Sequence, residues 1–198
     1  MQSDAEIMEQ LRRIYVGGVR DWDEDYEAYS AELSRRVGCL SNELARVAGT
    51  AVGAQAPTGD VHYYSFEIPV NTRPGRFRTS VKEVEMADGE AIFLVVYCST
   101  ILPLVEIRWH SITLDAQGRR VRASCDVRDE KWLSAHAVQA DLSLQVVEAA
   151  ALCGWQVLAP DLADQPAPTG WPWPLAGYDY QDGEYKVRDY IMSGMRDY

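Results

Sequence analysis

The chain has 198 residues, 47% hydrophobic and 25% charged, an ordinary globular composition with enough chain for one sizeable core. Its formal net charge of -11 argues against non-specific nucleic-acid binding, which needs clustered Lys and Arg to displace counterions. The charge suits solubility, or a basic partner drawn in by the field. Asp and Glu outnumber Lys and Arg by 12 to 6 over residues 1–69 and by 11 to 4 over residues 129–198, but are outnumbered 7 to 9 over residues 70–128. A slightly positive middle lies between acidic ends.

The opening residues MQSDAEIMEQLRR have no apolar run and begin with acids, so a signal peptide is not expected. They predict a helix over residues 4–15, capped by Ser3 with Glu6 three positions on, and broken at Gly17-Gly18. A second helical stretch starts near Asp21. Trp22, Tyr26, Tyr29, Leu33, Val37, Leu40, Leu44 and Val47 recur at steps of three and four as one apolar stripe. Gly38 is a candidate kink in it. Asp21, Asp23, Glu24, Asp25 and Glu27 fall in its first turns, where the helix dipole stabilises acids.

After a Gly/Ala/Pro linker the period changes to two. His62, Tyr64, Phe66, Ile68 and Val70 alternate with Val61, Tyr63, Ser65 and Glu67, which predicts a strand with one aromatic face. Pro74-Gly75 is a turn signal, residues 76–85 read as a second strand, and Asp88-Gly89 suits a hairpin. Residues 91–99 are apolar on both alternations, as a buried central strand is, and the next strand alternates to residue 114. The apolar run is too short to span a membrane and is followed by Glu106 and Arg108.

The hairpin around Gly118 fixes a register. If Asp115 pairs with Arg119, then Glu106 faces Arg128, Arg108 faces Asp126, Trp109 faces Cys125, Ile107 faces Val127 and Thr113 faces Val121. Opposite charges then pair on one face and apolar residues on the other, a pattern that a slip by one residue scrambles. As exposed pairs, these charges contribute only ~0.2–1 kcal/mol each, so they are diagnostic of register more than of stability.

A long helix is expected over residues 130–153, capped by Asp129 and stopped by Gly154. Leu133, Ala137, Ala140, Leu144, Val147 and Ala151 are its expected inner stripe, with Asp141, Gln145 and Glu148 outside. Residues 155–159 suit one more short strand. The tail from residue 161 holds QPAPTGWPWPLAGYDYQDG, whose four prolines forbid regular structure. A short closing helix within residues 184–196 is expected to bury Val187, Tyr190, Ile191 and Met195. The fold class is α+β. It is a single domain over residues 1–198: a helical part (1–50), a five-stranded, mainly antiparallel β-meander (61–128), one long helix after the sheet (130–153), and an aromatic, acidic loop with a short helix (161–198).

No motif dictates a chemistry. Cys39, Cys98, Cys125 and Cys153 are far apart with no C-x-x-C, which predicts buried free thiols in a reducing cytoplasm and no zinc site or disulfide framework. Of three histidines, His110 faces Ser124 beside Asp126, but no nucleophile elbow accompanies the trio, and a polar cross-strand ladder is the expected role. There is no H-x-x-x-H or Ca²⁺-loop pattern, and carboxylates of the run 21–27 would circle a helix instead of converging on a metal. Neither cofactor nor metal is expected, and the chain is read as a non-enzyme.

The most unusual feature is the aromatic and acidic tail: Trp171, Trp173, Tyr178, Asp179, Tyr180, Asp182 and Glu184. Trp and Tyr dominate interface hot spots, and the acids suit a basic, partly apolar partner. These residues are the first candidates for partner contact, with Asp21, Asp23, Glu24, Asp25 and Glu27 second; alternatively, both tryptophans fold back over a sheet edge or core gap. In size, charge and lack of catalytic motif the chain is similar to the small acidic immunity proteins that bacteria make against their own toxins. No residue motif carries that likeness, so it transfers no functional position. It implies a toxin-like basic protein as partner, with no nucleic acid or membrane. A second reading is a small-molecule binder or enzyme with a pocket between sheet and helices, lined by Tyr64, Phe66, Tyr97, Trp109 and Trp132. A third is a homo-oligomer built through an exposed sheet edge.

Overall fold

The structure, a computed structural model, describes residues 2–18, 25–57, 63–70, 90–114, 116–117, 120–127, 129, 131, 140–172 and 185–192. Helix α1, Asp4–Tyr15, begins with the expected capping box: the Ser3 hydroxyl accepts from the Glu6 amide, and the Glu6 carboxylate accepts from the Ser3 amide at 2.7 Å. Helix α2, Tyr26–Ala48, is capped by the Asp25 carboxylate, which accepts from the Ala28 amide at 3.0 Å, and ends at Gly49 with φ of 66°. It runs through Gly38 without a break. Its stripe is buried at Val37, Leu40 and Leu44, but Tyr26, expected on the same stripe, is 68% exposed. Trp22 lies outside the described residues.

Strands β1 (Tyr63–Pro69), β2 (Glu90–Ser99), β3 (Leu104–Leu114) and β4 (Arg120–Asp126) form one antiparallel path in chain order. The fifth strand, β5 (Gln156–Val157), runs parallel to the start of β3. The sheet is thus five-stranded and mainly antiparallel, as expected, but its fifth strand is the short one expected at residues 155–159, outside the 61–128 meander. β1 lies directly beside β2, Phe66 opposite Val96. The expected strand at residues 76–85 and the Asp88-Gly89 hairpin lie outside the described residues. The β3–β4 register is the one the charge pattern predicts: Arg108 faces Asp126, Trp109 faces Cys125, and Thr113 faces Val121.

Helix α3 is described over Ala140–Leu152, and Gly154, with φ of 80°, ends it. Residues 132–139, which carry Trp132, Leu133, His136 and Ala137, lie outside the described residues. α2 and α3 cover one face of the sheet in a core built on Phe66, Leu94, Val96, Ile107 and Trp109. The expected inner stripe of α3 is corrected here. Ser143, Val146, Ala149 and Ala150 are buried, Val147 is half-buried, and Leu144 and Ala151 face outward. The helix is apolar on more than one side, so periodicity allowed several inward faces. Two long-range links select one: the Trp109 indole N–H donates to the Ser143 hydroxyl at 3.2 Å, and Cys153, just beyond the helix, is bonded to Cys39 on α2.

That disulfide corrects the expectation of four free thiols. Cys39 and Cys153 are 114 residues apart in sequence, but their Cα atoms stand 5.6 Å apart, an ordinary disulfide separation. Sequence spacing could not show it, because the pairing exists only once α2 packs on α3. Cys98 is a buried free thiol and Cys125 a half-buried one.

A second apolar cluster joins the two ends of the chain. Ile7, Leu11 and Ile14 of α1 meet Ile101, Leu102 and Leu104, together with the short helices α4 (Pro160–Ala163) and α5 (Val187–Ile191). Val187, Tyr190 and Ile191 are buried as expected, while Met195 lies outside the described residues. The Ser99 hydroxyl donates to the Ile191 carbonyl at 2.6 Å, and the Tyr15 hydroxyl donates to the Tyr190 carbonyl at 2.7 Å, so side-chain hydrogen bonds hold α5 to the sheet and to α1.

Candidate functional site

The second face of the sheet carries Glu106, Arg108 and His110 on β3. The alternation predicted a wet face, but α5 brings Arg188 onto it. Arg188 is 6% exposed and Glu106 5%. The Arg188 guanidinium lies 3.2 Å from the Glu106 carboxylate and 2.5 Å from that of Asp164, which follows α4. Arg108 adds a contact to Glu106 at 3.4 Å and donates to the Ser124 hydroxyl at 3.0 Å. The expected exposed Glu106–Arg128 pair is therefore corrected on the side of Glu106, which is buried and held by Arg188 and Arg108; Arg128 lies outside the described residues. The physical cause is a helix from the far end of the chain landing on the sheet. Sequence offered no periodic signal for it beyond an arginine, next to Asp189, in a short helix of buried apolar residues.

Glu106, Arg108, Asp126, Asp164 and Arg188 line a recess of about 50 Å³. That volume holds a few waters at most, whereas drug-sized ligands occupy pockets of roughly 300 Å³ or more. Arg188 pairs with Glu106 and Asp164, and Arg108 with Glu106, so opposite charges meet as buried charge requires, although Glu106 Oε2, Arg108 Nε and Arg188 Nε make no hydrogen bond among the described residues.

Next to this cluster, His110 Nε2 and the Tyr97 hydroxyl are 3.1 Å apart, and the Tyr97 ring meets Tyr63 edge-on at 5.2 Å. Burial pushes the Tyr97 phenol well above its usual range, with Tyr63 and Glu106 adding to the effect. Ser124 is opposite His110 in register, but its hydroxyl is engaged by Arg108 and the imidazole by Tyr97. The trio is a polar ladder across strands, with no Ser–His contact of the kind nucleophilic catalysis uses.

The residues expected to line a ligand pocket do not converge. Phe66 and Trp109 are fully buried within the core under α2 and α3, with Tyr64 partly buried at its margin. Tyr97 projects from the opposite face and packs against the second apolar cluster and against Phe93 and its neighbours on that face. Trp132 lies outside the described residues. Among the described residues, no three His, Cys, Asp or Glu side chains are placed to hold a metal ion. No helix of the described residues is long and apolar enough to cross a membrane.

Of the residues expected to contact a partner, the structure describes three. Asp25 and Glu27 are exposed at the start of α2, where Asp25 also serves as cap. Trp171 is half-buried, and its ring meets Tyr190 edge-on at 5.1 Å, so it folds against the second apolar cluster and leaves only its rim to solvent. The Tyr190 hydroxyl in turn donates to the Pro172 carbonyl at 2.9 Å. Trp173, Tyr178, Asp179, Tyr180, Asp182, Glu184, Asp21, Asp23 and Glu24 lie outside the described residues.

Charge is sorted by position. Arg12, Arg35, Arg36, Arg46, Arg108, Lys186 and Arg188 are each paired with a carboxylate of the same chain. Asp4, Glu27, Asp141, Glu148 and Asp161, and on the basic side Arg13 and Lys131, are exposed and take part in no salt bridge among the described residues. No protein-family model, curated protein or solved structure matches the chain.

Proposed function

We propose that the chain is a non-enzymatic protein-binding protein, an acidic inhibitor of the immunity or antitoxin type that blocks a basic surface on a toxin-like partner. The observation that carries this reading is the sorting of charge. Arg12, Arg35, Arg36, Arg46, Arg108, Lys186 and Arg188 are neutralised at short range by carboxylates of the same chain; of the exposed groups without a salt bridge among the described residues, Asp4, Glu27, Asp141, Glu148 and Asp161 outnumber Arg13 and Lys131. The field reaching solvent is therefore negative, and it accelerates encounter with a basic surface and disfavours acidic ones.

Contact is assigned to the acidic segment Asp21 to Glu27, whose last residues cap and open α2, and to the tail that begins with the rim of Trp171 and continues through Trp173, Tyr178, Asp179, Tyr180, Asp182 and Glu184. A cytoplasmic site of action requires the Cys39–Cys153 pair to be reduced in the cell, because that compartment keeps thiols reduced. Counting free thiols on protein taken directly from cells decides the compartment.

The test of function is co-purification with the product of an adjacent reading frame, followed by titration of the isolated pair at rising salt. A complex whose affinity falls steeply with ionic strength supports the reading. If no basic protein from that neighbourhood binds, the reading fails. If Trp173→Ala with Asp179→Ala leaves the affinity unchanged, the tail is not the contact surface.

A further inference from the structure

Helix α3 has more on its outer face than charge. Leu144 and Leu152 are 62% and 73% exposed, although Ser143, Val146, Ala149 and Ala150 of the same helix are buried. One exposed leucine is ordinary. Two on one face, eight residues apart, stand about 12 Å from each other along the axis. Glu148 lies midway between them, and Asp141 one turn before the first. A helix apolar on both sides is normally covered on both sides. Rolling would hide the leucines, but the Trp109–Ser143 hydrogen bond and the Cys39–Cys153 disulfide pin the described helix on either side of them.

We propose that this ridge of Leu144, Glu148 and Leu152 is a docking surface for a basic amphipathic helix, which places a Lys or Arg on Glu148 between two apolar contacts. The proposal rests on the protein-binding reading above and adds a further contact surface to those assigned there. Charge complementarity chooses the occupant. α3 carries Asp141 and Glu148 and no Lys or Arg. A second copy packed about a two-fold axis near Glu148 would oppose carboxylate to carboxylate with no cation from either helix.

The probe is a synthetic amphipathic helical peptide with Leu and Arg on one face, compared with its Glu-for-Arg counterpart. Binding is read by fluorescence anisotropy at low and high salt, with circular dichroism melts of every variant. The Arg peptide is expected to bind at least tenfold tighter than the Glu peptide. Leu144→Gln with Leu152→Gln should weaken it at least tenfold without moving the melt, because both side chains are exposed. Asp141→Asn with Glu148→Gln should weaken it and flatten its salt dependence, while Asp4→Asn with Asp161→Asn, exposed carboxylates away from the ridge, leaves it unchanged. If the Arg peptide binds but is weakened only by Asp25→Asn with Glu27→Gln, at the contact segment assigned above, the ridge assignment is overturned and the protein-binding reading stands. If neither peptide binds, the ridge proposal fails, and the co-purification experiment judges the broader reading separately. Concentration-dependent dimerisation abolished by the Leu variant would make the occupant a second copy and overturn the proposal.

Discussion

Arg188 shows how much one side chain can decide. Its guanidinium bridges Glu106 and Asp164 in a site 6% exposed. Removing one partner of a buried pair leaves the other charged and desolvated, so Arg188→Ala is expected to cost ~3–5 kcal/mol in urea unfolding. Lys186 pairs with the same Asp164 in the open, with side chains 44% and 53% exposed, and Lys186→Ala should cost only ~0–1 kcal/mol. Equal effects would mean that Arg188 is solvated. Trp109 makes a similar case on the other face of the sheet. Trp109→Phe keeps a buried ring but leaves the Ser143 hydroxyl without its donor, and should cost ~1–3 kcal/mol. Trp109 was legible as a core residue from strand alternation. Arg188 was not legible as buried, since nothing near it in the chain reveals that Glu106 awaits it.

At the scale of elements, local chemistry and long-range linkage separate cleanly. The caps of α1 and α2 are local, and Asp25→Ala should lower stability by ~1 kcal/mol in a thermal melt. The β3–β4 register was readable because complementary charges lie a few residues either side of one turn. The roll of α3 was not, because its apolar positions satisfy more than one stripe. The disulfide that fixes this roll joins positions 114 residues apart. A loop of that length gives a loop-closure contribution near the upper end of the ~2–5 kcal/mol range, so Cys39→Ser with Cys153→Ser should lower the unfolding free energy by that order. Thiol titration gives the complementary check. Denatured, unreduced protein should show two thiols, those of Cys98 and Cys125. In the folded state both should react slowly near neutral pH, because burial pushes the Cys125 thiol up to about 12 and raises Cys98 as well. Four thiols in the unreduced protein would contradict the pairing.

For the whole molecule, net charge and ion-pair geometry set the response to pH. Hydrogen bonds from Arg35 and Arg36 lower the Glu32 carboxyl from 4.5 to about 2. A carboxyl with a depressed folded pKa stabilises the fold above its unfolded value, and that contribution is lost as pH falls through the folded value. Glu32→Gln should therefore show a smaller loss of melting temperature between pH 4.5 and 2 than the parent chain. The difference should be modest, because the carboxylate is in solvent. An unchanged acid limb would mean that the arginines do not hold it.

By itself, the sequence determined what depends on near neighbours: the capping box at Ser3, the stripe through Val37, Leu40 and Leu44, the pairing of Arg108 with Asp126, and the acidic balance of both ends. Each is an interaction between residues a few positions apart or across one tight turn, where chain geometry leaves few alternatives. Tertiary structure alone decided which face of α3 turns inward, that Cys39 meets Cys153, and that the face carrying Glu106 is closed by Arg188. Those outcomes require distant segments to meet, and many packings share the same local pattern. Long-range contacts choose among them, and in doing so they leave Leu144 and Leu152 facing out.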